Sequence, residues 1–205
     1  MPPARNGPVR ERLLHAAMEL FATRGYAATS IREIVKVAGV TKPVLYYHFQ
    51  SKEGLYLALV EELRGVVEST LAESVATPGS ARERLERLFA AMFGLFEAHR
   101  SSVRFLNAAY WGPGEGAPAV DFEVIHRRLV STVERVVAQG MAAGEFRRAR
   151  VPDATHAFLA VISYCMDLAL AYPALSPGKA GLLRILDLVF AGLAPHKPAR
   201  RRTSP

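Results

Sequence analysis

One cysteine, Cys165, and one tryptophan, Trp111, are all that 205 residues hold of these two types. A lone thiol excludes an internal disulfide framework and fits a reducing cytoplasm, the expected compartment. No apolar run reaches the length of a membrane span, and the opening residues lack an apolar signal segment, so no membrane partner is expected. Acidic residues are outnumbered, 19 Asp and Glu against 26 Lys and Arg, which leaves a net charge of +7. That balance suits a polyanionic partner without selecting one. The constellations of catalysis are missing too. The six histidines show no zinc-like spacing with cysteine or carboxylate. Gly112, Gly114 and Gly116 follow no strand pattern and so lack the context of a phosphate cradle. Ser176-Pro177-Gly178-Lys179 matches S-x-x-K without its companion motifs, and Ser176 with Pro177 reads as the opening of a helix. Cys165 lies in an apolar stretch, where a thiol is inert. The chain reads as a non-enzyme, with no catalytic residue, no metal and no cofactor.

What is present is helix, and one segment says most. In residues 30–52, Ser30 and Glu33 have the spacing of a capping box, so a helix starts at this point. Ile31, Ile34, Val35 and Ala38 give it one buried face. Gly39 supplies the left-handed residue that ends it, and Val40 returns the chain to the core. Thr41 is placed to cap a second helix through Val44, Leu45 and Phe49. Two short helices joined by such a turn form a helix-turn-helix, whose second helix can enter a DNA major groove. Lys42 lies at the start of that helix, Tyr46, Tyr47 and His48 cluster outward, and Lys52 opens the next helix behind Ser51.

The segment resembles the DNA-binding region of the TetR family of transcriptional regulators. The resemblance rests on Gly25-Tyr26, Thr29-Ser30, Ile34, Ala38-Gly39-Val40, Leu45-Tyr46-Tyr47-His48-Phe49 and Ser51-Lys52, and its specific part covers roughly residues 10 to 60. Val35 departs from the small residue more usual in the family and should crowd the packing of the two helices. The resemblance implies an all-α protein: an N-terminal three-helix DNA-binding domain, then a helical bundle that binds an effector and dimerises. It implies a regulator, by family default a repressor, released from a pseudo-palindromic operator by a small molecule. By position it assigns Arg32 and Lys42 to base edges and Thr41 to the DNA-facing start of the helix. Pro43 and Val44 would meet a thymine methyl, and Ser30, Tyr46, Tyr47, His48 and Lys52 would hold phosphates. The competing reading is an effector-independent architectural DNA-binding protein. A helical domain lacking a ligand cavity would favour it.

The rest of the chain reads as an N-terminal arm (1–9) and a basic tail (196–205), both expected to be disordered. Between them lie a DNA-binding domain (10–51) and a helical domain (52–195). A first helix runs over 10–24. A long one over 52–75 would join the domains, and Thr77-Pro78-Gly79 breaks it. Ser80 and Glu83 repeat the capping box. Further helices are expected over 81–99, 101–110, 121–143, 152–172 and 177–193, and helices without strand patterns imply a bundle. The last two are apolar around most of their circumference, which calls for burial on two sides. With the resemblance, this implies a two-fold homodimer through Phe158, Ile162, Leu182, Leu186, Val189 and Phe190. For a mainly hydrophobic effector the candidates are Phe93, Phe96, Phe105, Tyr110, Trp111, Phe122 and Tyr164. Arg104, Asn107 and His126 are its polar anchors.

Overall fold

A computed structural model describes residues 8–111, 116–121 and 123–195, without the side chains of 106–111. Nine α-helices follow one another over these residues: α1 Val9–Arg24, α2 Ile31–Ala38, α3 Lys42–Phe49, α4 Lys52–Ala76, α5 Ala81–Ala98, α6 Arg100–Trp111, α7 Glu123–Ala142, α8 Val151–Ala171 and α9 Gly178–Leu193. A 3-10 turn at Pro173–Leu175 separates the last two. No strand occurs among the described residues, and the all-α expectation holds. The expected arm (1–9) and tail (196–205) lie almost wholly outside the described residues; Pro8 and Val9 belong to the start of α1.

The chain forms two compact units that cut across the expected boundary at residue 52. The first comprises the described residues up to Ser69 together with Leu95–His126; the second comprises Thr70–Gly94 and the chain from Arg127 onward. The first half of α4 belongs with the helix-turn-helix because its apolar face is spent there. Leu55, Tyr56, Leu59 and Val60 are buried in one cluster with Leu13, Ala17 and Phe21 of α1, Ile34, Val35 and Ala38 of α2, and Leu45 and Phe49 of α3. Each buried Leu, Ile, Val or Phe among them contributes on the order of 1.5–3 kcal/mol by burial, and the alanines less. An aromatic group knits the cluster to α6: Phe21 lies 5.6 Å from Tyr56 and 6.2 Å from Phe105, centroid to centroid. Val35 fits within this cluster at 6% exposure.

In the second unit, Phe158 of α8 sits 4.9 Å from Phe190 of α9 and 5.9 Å from Phe89 of α5. The second capping box forms as expected, with Ser80 N–H donating to Glu83 Oε2 at 2.8 Å and Glu83 N–H to Ser80 Oγ at 3.2 Å. Arg147 ties off the end of α9 by donating from Nε to the Gly192 carbonyl at 2.7 Å and from its backbone N–H to the Leu193 carbonyl at 2.8 Å.

The most apolar helix brings two corrections. By length and composition α8 is long and apolar enough to cross a membrane, with a mean hydropathy of 1.5 in its best window and a third of that window buried. The reading that no run reaches span length does not hold for it. Five of the six residues expected at a dimer interface, Phe158, Ile162, Leu182, Leu186 and Phe190, are no more than 5% exposed within the single chain. They are the core of the second unit, and Val189 is half-buried. An almost fully apolar helix offers no period from which to choose its inner side. The exposed apolar or small residues are instead Ala157, Ala160 and Tyr164 on α8 and Leu188, Ala191 and Gly192 on α9, beside charged positions such as Asp167, Arg184 and Asp187. Tyr164 is 64% and Leu188 72% exposed.

Candidate nucleic-acid interface

The interface begins at the turn that aims α3. The Ser30 hydroxyl accepts from Glu33 N–H at 3.3 Å while Glu33 Oε2 accepts from Ser30 N–H at 2.9 Å. These two bonds satisfy orphan donors at the start of α2. Arg24 donates to the same carboxylate at 2.7 Å. The Ser30 bonds, backbone first, and the Arg24 guanidinium hold Glu33 below its ordinary pKa. Gly39 adopts φ 64°, ψ 40°, its N–H donating to Lys36 O and Val40 N–H to Val35 O. A residue with a Cβ would be strained in that conformation. Thr41 stands at the N-cap of α3 without a side-chain capping bond, against expectation.

Leu45 and Phe49 hold α3 to the core, which leaves Thr41, Lys42, Pro43, Tyr46, Tyr47 and His48 exposed. Tyr47 is the extreme case at 84%, its ring 5.2 Å from that of His48. Val44 is half-buried and packs against the core cluster, so its side chain is largely spent inward. On α2, Arg32 is exposed as expected, and Lys36 is exposed one helical turn further on. The sequence reading missed Lys36, although its i, i+4 spacing from Arg32 was available as a signal. The face thus carries Arg32, Lys36 and Lys42 with two exposed tyrosines, the residue types that meet phosphates and base edges.

Lys52 departs most from expectation. Its ammonium donates to the carbonyls of Tyr26 at 2.8 Å and Thr29 at 2.9 Å, and lies 4.0 Å from the centre of the Tyr26 ring. Two of its three protons are therefore committed to the turn between α1 and α2. Burial draws its pKa below the ordinary lysine value. Lys52 acts first as a strut between α4 and that turn. Gly54 supports the same corner: a Cβ there would stand 2.1 Å from the Phe49 carbonyl oxygen, so glycine lets α3 end against the first turn of α4.

The described effector candidates are distributed over both units. Phe105 is packed with Phe21 and Tyr56 in the first unit, and Phe96 is buried in that unit as well. Phe93 is buried in the second unit. Tyr164, Arg104 and His126 are exposed. Phe122 and the side chains of Asn107, Tyr110 and Trp111 lie outside the described residues. A cavity of about 400 Å³ does occur in the first unit, walled by α1, α4 and the region from Leu95 to Val103.

Residues 13–59 match the family model described as bacterial regulatory proteins, tetR family. The chain is 39% identical over 97 residues to the HTH-type transcriptional activator FasR of Mycolicibacterium smegmatis, a match that covers 47% of this chain and 44% of FasR. It thus spans under half the length of that relative. To the HTH-type transcriptional repressor DhaR of a Mycobacterium species it is 25% identical over 192 residues, 92% of this chain and 93% of DhaR. Among solved structures, the ketosteroid transcriptional regulator KstR2 of Mycobacterium tuberculosis superposes with a TM-score of 0.74 at 24% identity, covering 96% of this chain and all of that one.

Proposed function

We propose, because residues 13–59 match the model of the tetR family of bacterial regulatory proteins, that this chain is a member of that family and a homodimeric DNA-binding repressor. It recognises a pseudo-palindromic operator and leaves it when a small, mainly hydrophobic effector binds. The observation that carries the reading is α3, an eight-residue helix fixed from behind by Leu45 and Phe49 and exposing Lys42, Tyr46, Tyr47 and His48 in front. Lys42 reads base edges together with Arg32, while Ser30, Tyr46, Tyr47 and His48 hold phosphates and Thr41 and Pro43 fit between them. Lys52 has one proton left for a phosphate and serves mainly to hold the turn.

Two such helices must lie about one DNA turn (~34–36 Å) or a multiple apart, which requires two copies. The apolar surface that α8 and α9 leave uncovered around Tyr164 and Leu188 is the face for a second copy. Repression is favoured by the relative matched over nearly its whole length, whose name is that of a repressor. The effector response is supported by the cavity in the first unit, the feature that an architectural DNA-binding protein has no need of. A reducing cytoplasm is where such a regulator meets its DNA.

Selection of bound duplex from a random pool, at stated near-physiological salt, tests the reading. An inverted repeat is expected, bound by a dimer in sedimentation equilibrium. Binding without any enriched motif, equally salt-sensitive on all sequences, would replace it with the architectural reading.

A further inference from the structure

Helix α1 has two faces with different duties. Leu13, Ala17, Leu20 and Phe21 belong to the core under the helix-turn-helix. Glu11, Leu14, His15 and Met18, at i, i+3, i+4 and i+7, line the cavity of about 400 Å³. Its other walls include Leu59, Leu63 and Val66 of α4 and Val103 of α6. The size falls in the range of small-molecule pockets, and the lining has the usual form of an apolar body with a few polar groups.

Two of those polar groups lack a proper partner. The Nδ1 atom of His15 is buried and makes no hydrogen bond. Ser102, 4% exposed, directs its hydroxyl at the Met18 sulfur at 3.0 Å, a weak acceptor. Buried polar atoms are nearly always satisfied, so this pair marks a place for an absent partner. The charge of the lining narrows its chemistry. Among the described residues the cavity is bordered by the carboxylates Glu11 and Glu62 and the imidazoles of His15 and the exposed His99, with no lysine or arginine, so a carboxylate ligand meets two like charges and no fixed cation. Glu62 is already paired with Arg10 and Glu11 is exposed to water, so neither carboxylate offers a desolvated, uncompensated charge to a cationic ligand. An imidazole nitrogen accepts or donates according to tautomer, and a serine hydroxyl does both. A ligand hydroxyl, itself both donor and acceptor, satisfies the pair in either state.

We propose that this cavity is an effector site for a neutral apolar alcohol, and that the ligand acts directly on α1, the helix that carries the helix-turn-helix on its other face. The second clause rests on the regulator reading above; the first does not. An occupant wedged behind α1 shifts the platform of α2 and α3 through side-chain contact, and the operator affinity falls by the ligand's preference for the shifted state.

The test titrates the full-length protein with decan-1-ol, decanoate and decyltrimethylammonium by calorimetry. In parallel it measures affinity for the selected inverted repeat by fluorescence anisotropy. Decan-1-ol should bind at least tenfold more tightly than either charged analogue and weaken operator binding at least fivefold at saturation. His15→Phe keeps a ring and deletes Nδ1. It should cost at least tenfold in decan-1-ol affinity, while the ligand-free melting temperature holds or rises because an unpartnered buried nitrogen is gone. Should that variant not fold, Ser102→Ala carries the same comparison. Equal binding of decanoate, equal binding by the variant, or binding of none of the three overturns the site. Decan-1-ol binding that leaves operator affinity unchanged overturns the action on α1. If no duplex is selected at all, the regulator reading has failed, and the calorimetry still decides the site.

Discussion

Replacing Lys52 by methionine separates a strut from a DNA contact. The substitution keeps the length and apolar stem of the side chain but removes the ammonium held by the Tyr26 and Thr29 carbonyls at 2.8 and 2.9 Å. Hydrogen bonds to a charged donor contribute roughly 1.5–3 kcal/mol each. The contact with the Tyr26 ring adds about 0.5–1 kcal/mol at a partly exposed position. Against this stands the desolvation that draws the lysine pKa down. Thr29 N–H also remains bonded to Tyr26 O at 3.2 Å, so one acceptor is not abandoned. A net loss of about 2 kcal/mol remains, or a fall of roughly 4–8 °C in melting temperature for a chain of this size. The assay pairs thermal unfolding without DNA with operator affinity across a salt series. A strut predicts the lost stability and a salt slope close to that of the wild type. A pure phosphate contact predicts unchanged melting and a slope shallower by about 0.9 per subunit. The second pattern would refute the assignment.

Three further outcomes are expected. Tyr47→Ala, at a side chain 84% exposed, should weaken binding on all duplexes alike by about tenfold while the melting temperature stays within about 1 °C; a loss confined to one sequence would move Tyr47 to base reading. Gly54→Ala would ordinarily favour a helix, but the new Cβ would stand 2.1 Å from the Phe49 carbonyl oxygen. We therefore expect a destabilisation of about 1–3 kcal/mol, measurable by urea unfolding, and a gain in stability would contradict the geometry. Because Glu33 titrates below its ordinary value, the support it lends is complete above the unfolded pKa near 4.5. That support is lost as pH falls below the unfolded value and through the lower folded one, so Glu33→Gln should flatten the acid limb of a melting-temperature profile; identical acid limbs would show that the capping box does not titrate as described.

The sequence by itself determined the helices, because amphipathic spacing, capping residues and turn glycines are local properties. Ser30 with Glu33, Ser80 with Glu83, and Gly39 each act within a few residues, and each forms as read. It also determined that Lys42, Tyr46, Tyr47 and His48 face outward, since Leu45 and Phe49 leave them no other side. Tertiary structure decided whatever depends on residues far apart in the chain. Whether the Lys52 ammonium meets a phosphate or a carbonyl depends on a turn 23 residues away. Phe105 reads alone as a cavity aromatic, and only the approach of Phe21 and Tyr56 makes it core. Helices α8 and α9 are apolar nearly all round, so periodicity could not select their inner face, and packing put Phe158 and Phe190 inside and Tyr164 and Leu188 outside. The cavity behind α1 left no trace in any local pattern. A void is the space that several helices fail to fill together, and no single segment encodes it.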